Sequence, residues 1–375
     1  MAKPKIEEIQ YLRAFAFLAV VVQHSIGHYF AVPEASLADG VLMGLILLLA
    51  KFAVPLFIFI TGLVLFYNYD SGVRFVPFVR KRCKDILLPY LPWAILYAVM
   101  FHHLDATWTS IRQFALDVVT GTASYHLWYI VMIFQFYLLF PLLQRAIVRA
   151  DRGAGRAGFV LLALLGLFYI WYIAVHGTLS DAVGRLNIPV LSDLFTTYDD
   201  RNALHFFYYF LLGAAAGLHL ERWKTFLTAY RVHIRIGYGI VIGILLYVTV
   251  AKFQLAPQLK IQYNTTLLLQ PLMALFLIVS VVAMHAESLA FAAGKAPRRL
   301  REALDRIGSL SYVAYLAHAL VLNFAVWAAD GIMPGGNVTL RMLAASILCA
   351  AGAVALAFVL RRVKLLLSHK KQQQT

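Results

Sequence analysis

The sequence predicts an all-α, polytopic membrane protein of about ten transmembrane helices, with both termini in the cytoplasm. Three observations carry this expectation. The first is composition: 62% of the 375 residues are hydrophobic and 14% are charged, whereas soluble domains carry about a quarter charged residues. The second is a series of apolar segments at roughly 8–30, 42–67, 86–101, 126–143, 158–176, 203–220, 235–251, 266–285, 309–328 and 342–360, set against a need for about 20 residues per spanning helix. The third is charge asymmetry. With the N-terminus inside, 25 of the 33 Lys and Arg residues fall in cytoplasmic stretches, six fall on the opposite side, and Arg13 and Lys51 lie within helices. The positive-inside rule orients the bundle this way, and an even number of crossings returns the C-terminus to the same side. The chain reads as a single integral membrane domain over 1–375, with no room for a separate soluble domain. Arg13 interrupts the first apolar run, so no signal-peptide cleavage pattern is expected.

The formal charge of +15 is accounted for by these topological clusters and does not call for nucleic acid as a partner. Cys83 sits in a basic loop and Cys349 in a helix, so no disulfide framework is expected. No glycine-rich phosphate loop, paired-cysteine motif, HExxH or GxSxG is present, so no metal and no resident cofactor is expected.

The first segment, IEEIQYLRAFAFLAVVVQHSIGHYF, carries Arg13 near its start and His24 deep within it. Ionisable groups inside a spanning helix are costly and mark functional positions by default. Eleven residues separate the two, which returns them to nearly the same face with about 16 Å of rise between them. One polar path therefore links a cation near one surface to an imidazole well inside, and it reads as an active site. The rival reading is a buried Arg and His that only brace the bundle.

Segment two contains AKFAVPLFIFITGLVLF, where Pro55 predicts a bend and Gly62 a close helix contact. Lys51 either snorkels to the interface or joins a site. The loop before segment three ends RKRCK. It serves topology and anionic lipid, and its sharper reading is a phosphate receiver through Arg80, Arg82 and Lys84. The outer stretch 102–125 is read as holding a short amphipathic helix. His126 and Tyr129 open segment four three residues apart, as neighbours on a helix face or as part of an aromatic belt. In the outer loop 177–202, Asp199, Asp200 and Arg201 read first as a solvated helix start and second as contacts for a hydroxyl-rich acceptor. LLGAAAG at 211–217 predicts tight helix packing. Segment nine aligns Ser311, Tyr315 and His318 on one stripe at spacings of four and three.

Taken together these stretches resemble the acyltransferase-3 family, bacterial membrane acyltransferases that decorate surface sugars. The resemblance rests on LRAFAFLAVVVQHS, in which Arg13 and His24 match an Arg-x10-His signature, on VPLFIFITG at 54–62, on RKRCKDILLPYL, on HLWYI followed by YLLFPLL, and on SYVAYLAH at 311–318. The chain departs from the family pattern at Thr61, where Ser is common, at Glu8 and Gln10, where an Asp is often found, and at Ala319, where Pro is common. VPLFIFITG after a basic residue is similar to the subgroup acting on N-acetylglucosamine-containing glycans.

The resemblance implies an O-acyltransferase that moves an acyl group, acetyl in the first instance, from cytoplasmic acyl-CoA to a hydroxyl of an extracytoplasmic or lipid-linked glycan. Arg13, with Arg80, Arg82 and Lys84, would hold the donor. His24 would act as base, since an imidazole accepts a hydroxyl proton near neutral pH, or as nucleophile. His126, Tyr129, Tyr315 and His318 would orient the acceptor or stabilise the oxyanion. The expected partners are acyl-CoA, the glycan and membrane lipid, in a multi-pass protein of the cell membrane. The rival class is an exporter of a glycan or small polar solute. Against it stand the scarcity of membrane acids and the lack of a detectable internal repeat.

Overall fold

A computed structural model describes residues 3–101, 108–294 and 296–372. The chain is 82% helical, and the described residues contain no strand beyond one isolated bridge between Gln254 and Lys260. In chain order the helices are α1 (Glu8–Tyr29), α2 (Leu37–Ala50), α3 (Ala53–Asn68), α4 (Phe75–Arg82), α5 (Leu88–Phe101), α6 (Trp108–Thr120), α7 (Trp128–Ala154), α8 (Gly158–Arg185), α9 (Leu191–Phe195), α10 (Phe207–Leu218), α11 (Leu220–Ala229), α12 (Arg231–Val250), α13 (Pro271–Ala292), α14 (Arg298–Ile332) and α15 (Val338–Gln372). Among the described residues, nine helical stretches are long and apolar enough to cross a membrane, or ten if α10 and α11 are one broken span. α6 occupies most of the stretch read as holding an amphipathic helix, while residues 102–107 of that stretch and Lys295 of the basic run 295–306 lie outside the described residues.

Two spans are interrupted where the sequence removes or redirects backbone bonds. α2 and α3 form one apolar stretch broken at Lys51 and Phe52. Pro55, four residues on, cannot donate to the Lys51 carbonyl, so the regular ladder has no bond to continue there. Between α4 and α5 the residues Cys83–Leu87 form a π-helical turn. Pro89 and Pro92 follow it, each without the N–H that an α-helix would use.

The chain divides into two compact units, and the division falls inside α3, α11 and α13. The first unit comprises Phe57–Thr225 and Leu268–Ile278. Within it α3 and α10 meet backbone to backbone. A Cβ at Gly62 would collide with the Phe210 carbonyl, and one at Gly213 or Gly217 would collide with the Phe59 or Leu63 carbonyl. The small-residue run 211–217 thus does what its pattern predicts, letting two helices approach closer than side chains allow. Gly213→Val is expected to lower stability by about 3 kcal/mol through overpacking. Thermal unfolding in detergent checks this, and an unchanged midpoint would remove the contact from the supports of the fold.

The sixth apolar segment, expected over 203–220, is helical from Ala203 to Leu218, and the chain turns sharply where it ends. The helix turns by 103° between α10 and α11, with His219 at the corner and its Nε2 2.7 Å from the Asp151 carboxylate on α7. Leu220, Trp223 and Leu227 are buried on α11 while Glu221 and Arg222 are exposed. α11 is thus amphipathic, with its apolar face packed against the protein.

The second unit comprises the chain up to Leu56, Phe226–Leu267, and the chain from Val279 on. α14 packs along α15 and along α1. Gly308 lets α14 touch α1, since a Cβ there would overlap the backbone of Gln10. The helix ends are tied by carboxylates. Asp39 completes a capping box with Ser36 at the start of α2 and also accepts from Asn337 Nδ2, Thr339 N and Thr339 Oγ1 at the start of α15. Asp330, near the end of α14, accepts from the Tyr29 hydroxyl and from Arg341 Nε. Tyr263 donates to the Gly40 carbonyl at 2.7 Å. Burial, with the Asp39 carboxylate adding to it, pushes this phenol above its ordinary value, so it remains a donor.

Candidate functional site

α1 is continuous from Glu8 to Tyr29, so Arg13 and His24 do share one helix with three turns between them. A long apolar stretch without proline makes this helix, and most of its surface is enclosed. Both Arg13 and His24 are half-buried.

What stands beside His24 comes from elsewhere in the same unit. The His318 ring stacks on it, with centroids 5.2 Å apart and planes at 29°. His318 is fully buried and its Nδ1 is hydrogen-bonded to the Tyr315 carbonyl. A carbonyl can only accept, so Nδ1 carries a proton, and in the neutral ring Nε2 keeps its lone pair. The Tyr315 ring lies 5.5 Å from His318. Ser311, the third member of that stripe, closes on its own helix by donating to the Gly308 carbonyl.

Lys51, at the break between α2 and α3, is near enough for its charge to act on the His24 ring. Gln23, next to His24, donates to the Ala50 carbonyl at 2.8 Å. This bond takes up a carbonyl at the C-terminal end of α2.

The remaining candidates lie in the first unit. His126 is buried in the turn that precedes α7 and is not on its helical face as its spacing from Tyr129 suggested. Its Nδ1 is 3.1 Å from Ser124 Oγ and its ring is edge-on to Tyr97 at 5.2 Å. The turn forms because the Leu127 N–H bonds the Ser124 carbonyl before α7 begins. Tyr129 is buried beside Phe57, with centroids 5.8 Å apart. In the basic cluster, Arg80 and Lys84 are exposed, while the Arg82 guanidinium lies over Phe78 at 5.0 Å and Tyr137 at 5.2 Å.

Sequence reasoning undervalued one group in this unit. Asp199 Oδ1 is 2.7 Å from Nε2 of the fully buried His205, whose Nδ1 is 2.7 Å from the Tyr172 hydroxyl. His176 Nε2 lies 3.7 Å from the other Asp199 oxygen. With the carboxylate ionised, Nε2 donates and Nδ1 accepts from the phenol, giving a directed Tyr172–His205–Asp199 chain. Only Asp200 fits the solvated reading, with its side chain 57% exposed while that of its ion-pair partner Arg201 is 14% exposed. The six-residue gap between Asp199 and His205 was legible; the arrival of Tyr172 from α8 was not. Asp199→Ala is expected to lower stability by about 1–3 kcal/mol by stranding a buried donor, with Tyr172→Phe costing less. Paired unfolding midpoints check the order, and equal effects would contradict the directed chain.

Fold and site residues together define a class: a multi-pass helical membrane protein that keeps ionisable side chains among its spans. The acyltransferase-domain family matches residues 6–362, and the chain belongs to this acyltransferase-3 family. It is an acyltransferase for groups other than aminoacyl groups. Among relatives, a Staphylococcus aureus (strain MRSA252) protein is 23% identical over 333 residues, covering 84% of this chain and 82% of its own. Its counterpart in strain N315 is 23% identical over 334 residues with the same coverage. Both carry the provisional name poly-beta-1,6-N-acetyl-D-glucosamine export protein. A Bacillus subtilis (strain 168) protein, provisionally named membrane-bound acyltransferase YfiQ, is 28% identical over 152 residues, 39% of this chain and 41% of its own. No solved structure matches the chain.

Proposed function

We propose that the protein is an O-acyltransferase of the cell membrane, with both termini cytoplasmic, that moves an acyl group from cytoplasmic acyl-CoA to a hydroxyl of an extracytoplasmic or lipid-linked glycan. The observation that carries this is the stack of His318 on His24, which shares α1 with Arg13, in a chain of this family. The glycan class is supported by the names of the Staphylococcus relatives, and acetyl is the first acyl group to test.

In this reading Arg13 in the second unit and Arg80, Arg82 and Lys84 in the first are separate candidates for contact with the donor's phosphates, as guanidinium forks and ammonium charges suit phosphate. His24 takes the proton of the acceptor hydroxyl as its oxygen attacks the thioester carbonyl. The C–O bond forms, the C–S bond breaks, and the thiolate of coenzyme A takes up the proton from His24. His318, fixed by its bond to the Tyr315 carbonyl, holds the His24 ring in place. The Lys51 ammonium is the candidate for stabilising the oxyanion. His126, Tyr129 and Tyr315 remain candidates for orienting the sugar.

The names of the relatives also favour a second reading, an exporter of such a glycan. Purified protein in lipid nanodiscs, given labelled acetyl-CoA and N-acetylglucosamine oligosaccharides, separates the two. Glycan-dependent release of free coenzyme A with label on the sugar supports acyl transfer. No release, together with protein-dependent passage of glycan into sealed vesicles, overturns it in favour of export.

A further inference from the structure

A second cationic feature in the first unit is not used by the residues above. The turn between α3 and α4 and the last three turns of α7 line an open groove of about 620 Å³. Its walls carry four guanidiniums, those of Arg74, Arg145, Arg149 and Arg152, against the single carboxylate of Asp70. Arg145, Arg149 and Arg152 recur at spacings of four and three, so they form one stripe of α7 extending over about 10 Å. Among the described residues, none of the four guanidiniums is in an ion pair. Asp151, the acid within this stretch of α7, is held by His219.

The facing wall is a built one. Gln144 is 3% exposed, and its Nε2 donates to the carbonyls of both Tyr69 and Asp70 at 3.1 and 3.3 Å. A buried amide thus pins the turn 70–74 against α7. Gly72 in that turn has φ +107°, a conformation glycine alone adopts at little cost. Charges that serve only topology need lie no closer than the ends of their spans; four arginines lining one groove beside a pinned turn go beyond that need. The volume suits a small ligand, and planar forks in this number suit phosphate oxygens better than a single carboxylate.

We infer that this groove is a phosphate-binding site and that, resting on the acyl-transfer reading, its ligand is the pyrophosphate of the donor's nucleotide end, which leaves the donor's other phosphate to the cations named under the proposed function. Its end of α7 is the one that the charge distribution assigns to the cytoplasm. An anionic lipid headgroup shares this chemistry and is the competing source.

The test uses full-length protein in phosphatidylcholine nanodiscs, titrated with coenzyme A and, separately, with inorganic pyrophosphate. Arg149→Gln is expected to weaken both by about tenfold or more, and Arg149→Lys by less. Arg149 is exposed, and a monodisperse elution profile confirms that each variant is folded. Native binding of both probes with no change in Arg149→Gln or Arg145→Gln overturns the site. If neither probe binds, native mass spectrometry after reconstitution with phosphatidylglycerol decides. Lipid retained by the native chain and lost in Arg149→Gln keeps the phosphate site but overturns the donor as its ligand. Equal retention overturns both. Acyl transfer is followed in parallel. Transfer that persists with Arg149-insensitive binding sinks this site alone, whereas Arg149-sensitive binding without any transfer by the native chain sinks the proposed function alone.

Discussion

His24→Ala is expected to lower acyl transfer by about 10²–10⁴-fold, the range typical of losing a positioned general base, while the protein stays in the membrane at its normal level. His24 is half-buried on α1 with the His318 ring stacked on it, so truncation removes a proton acceptor without opening the enclosed face formed by residues such as Leu12 and Phe17. His318→Ala should cost less if His318 only positions its neighbour. It should appear mainly in kcat, because geometry at the reacting oxygen changes while donor binding does not. Single-turnover kinetics on purified variants measure both. Wild-type rates in His24→Ala would remove this residue from the mechanism, and a larger loss for His318→Ala would exchange the two roles.

The largest expected effect on stability falls at Asp39→Ala. This carboxylate is 4% exposed and accepts from Ser36 N and Oγ, Asn337 Nδ2, and Thr339 N and Oγ1. Alanine would strand several donors at once, at roughly 3 kcal/mol or more, since each buried donor left unsatisfied costs about 1–3 kcal/mol. Asp39→Asn keeps an acceptor oxygen and should fall between the two. Unfolding midpoints in detergent give the ranking, and a midpoint for Asp39→Ala within a degree of wild type would show that these bonds do not hold the helix ends together.

The spans were legible because their signal is local. Apolar length and flanking Lys or Arg can be read within a window of about 20 residues, without knowing which helix meets which. The break at Lys51 was announced by Pro55, and the close approach of α3 and α10 by the glycines at 62, 213 and 217. The turn at His219 was hidden because the apolar run passes smoothly into LHLERW, and only the pairing with Asp151 reveals the corner. The candidate site was legible one helix at a time. Arg13 and His24 share α1, and Tyr315 and His318 share α14, so periodicity could find each pair. The stack of His24 on His318 joins residues 294 positions apart, and no periodicity spans that distance. The same reason hid Tyr172 from Asp199, and the turn 70–74 from the arginine stripe of α7.

The knot at Asp39 also has a consequence for how the chain is made. Its partners Asn337 and Thr339 are about 300 residues downstream, so at about 5–20 residues per second the ribosome needs roughly 15–60 s to deliver them. During that interval α2 is inserted with a carboxylate only half supplied with donors, held by Ser36 alone. The early helices must therefore wait in the bilayer as a loosely closed set until α15 arrives. α15, made about 300 residues after α2, then latches it, and quality-control proteases would meet the chain at its most vulnerable just before Thr339 emerges.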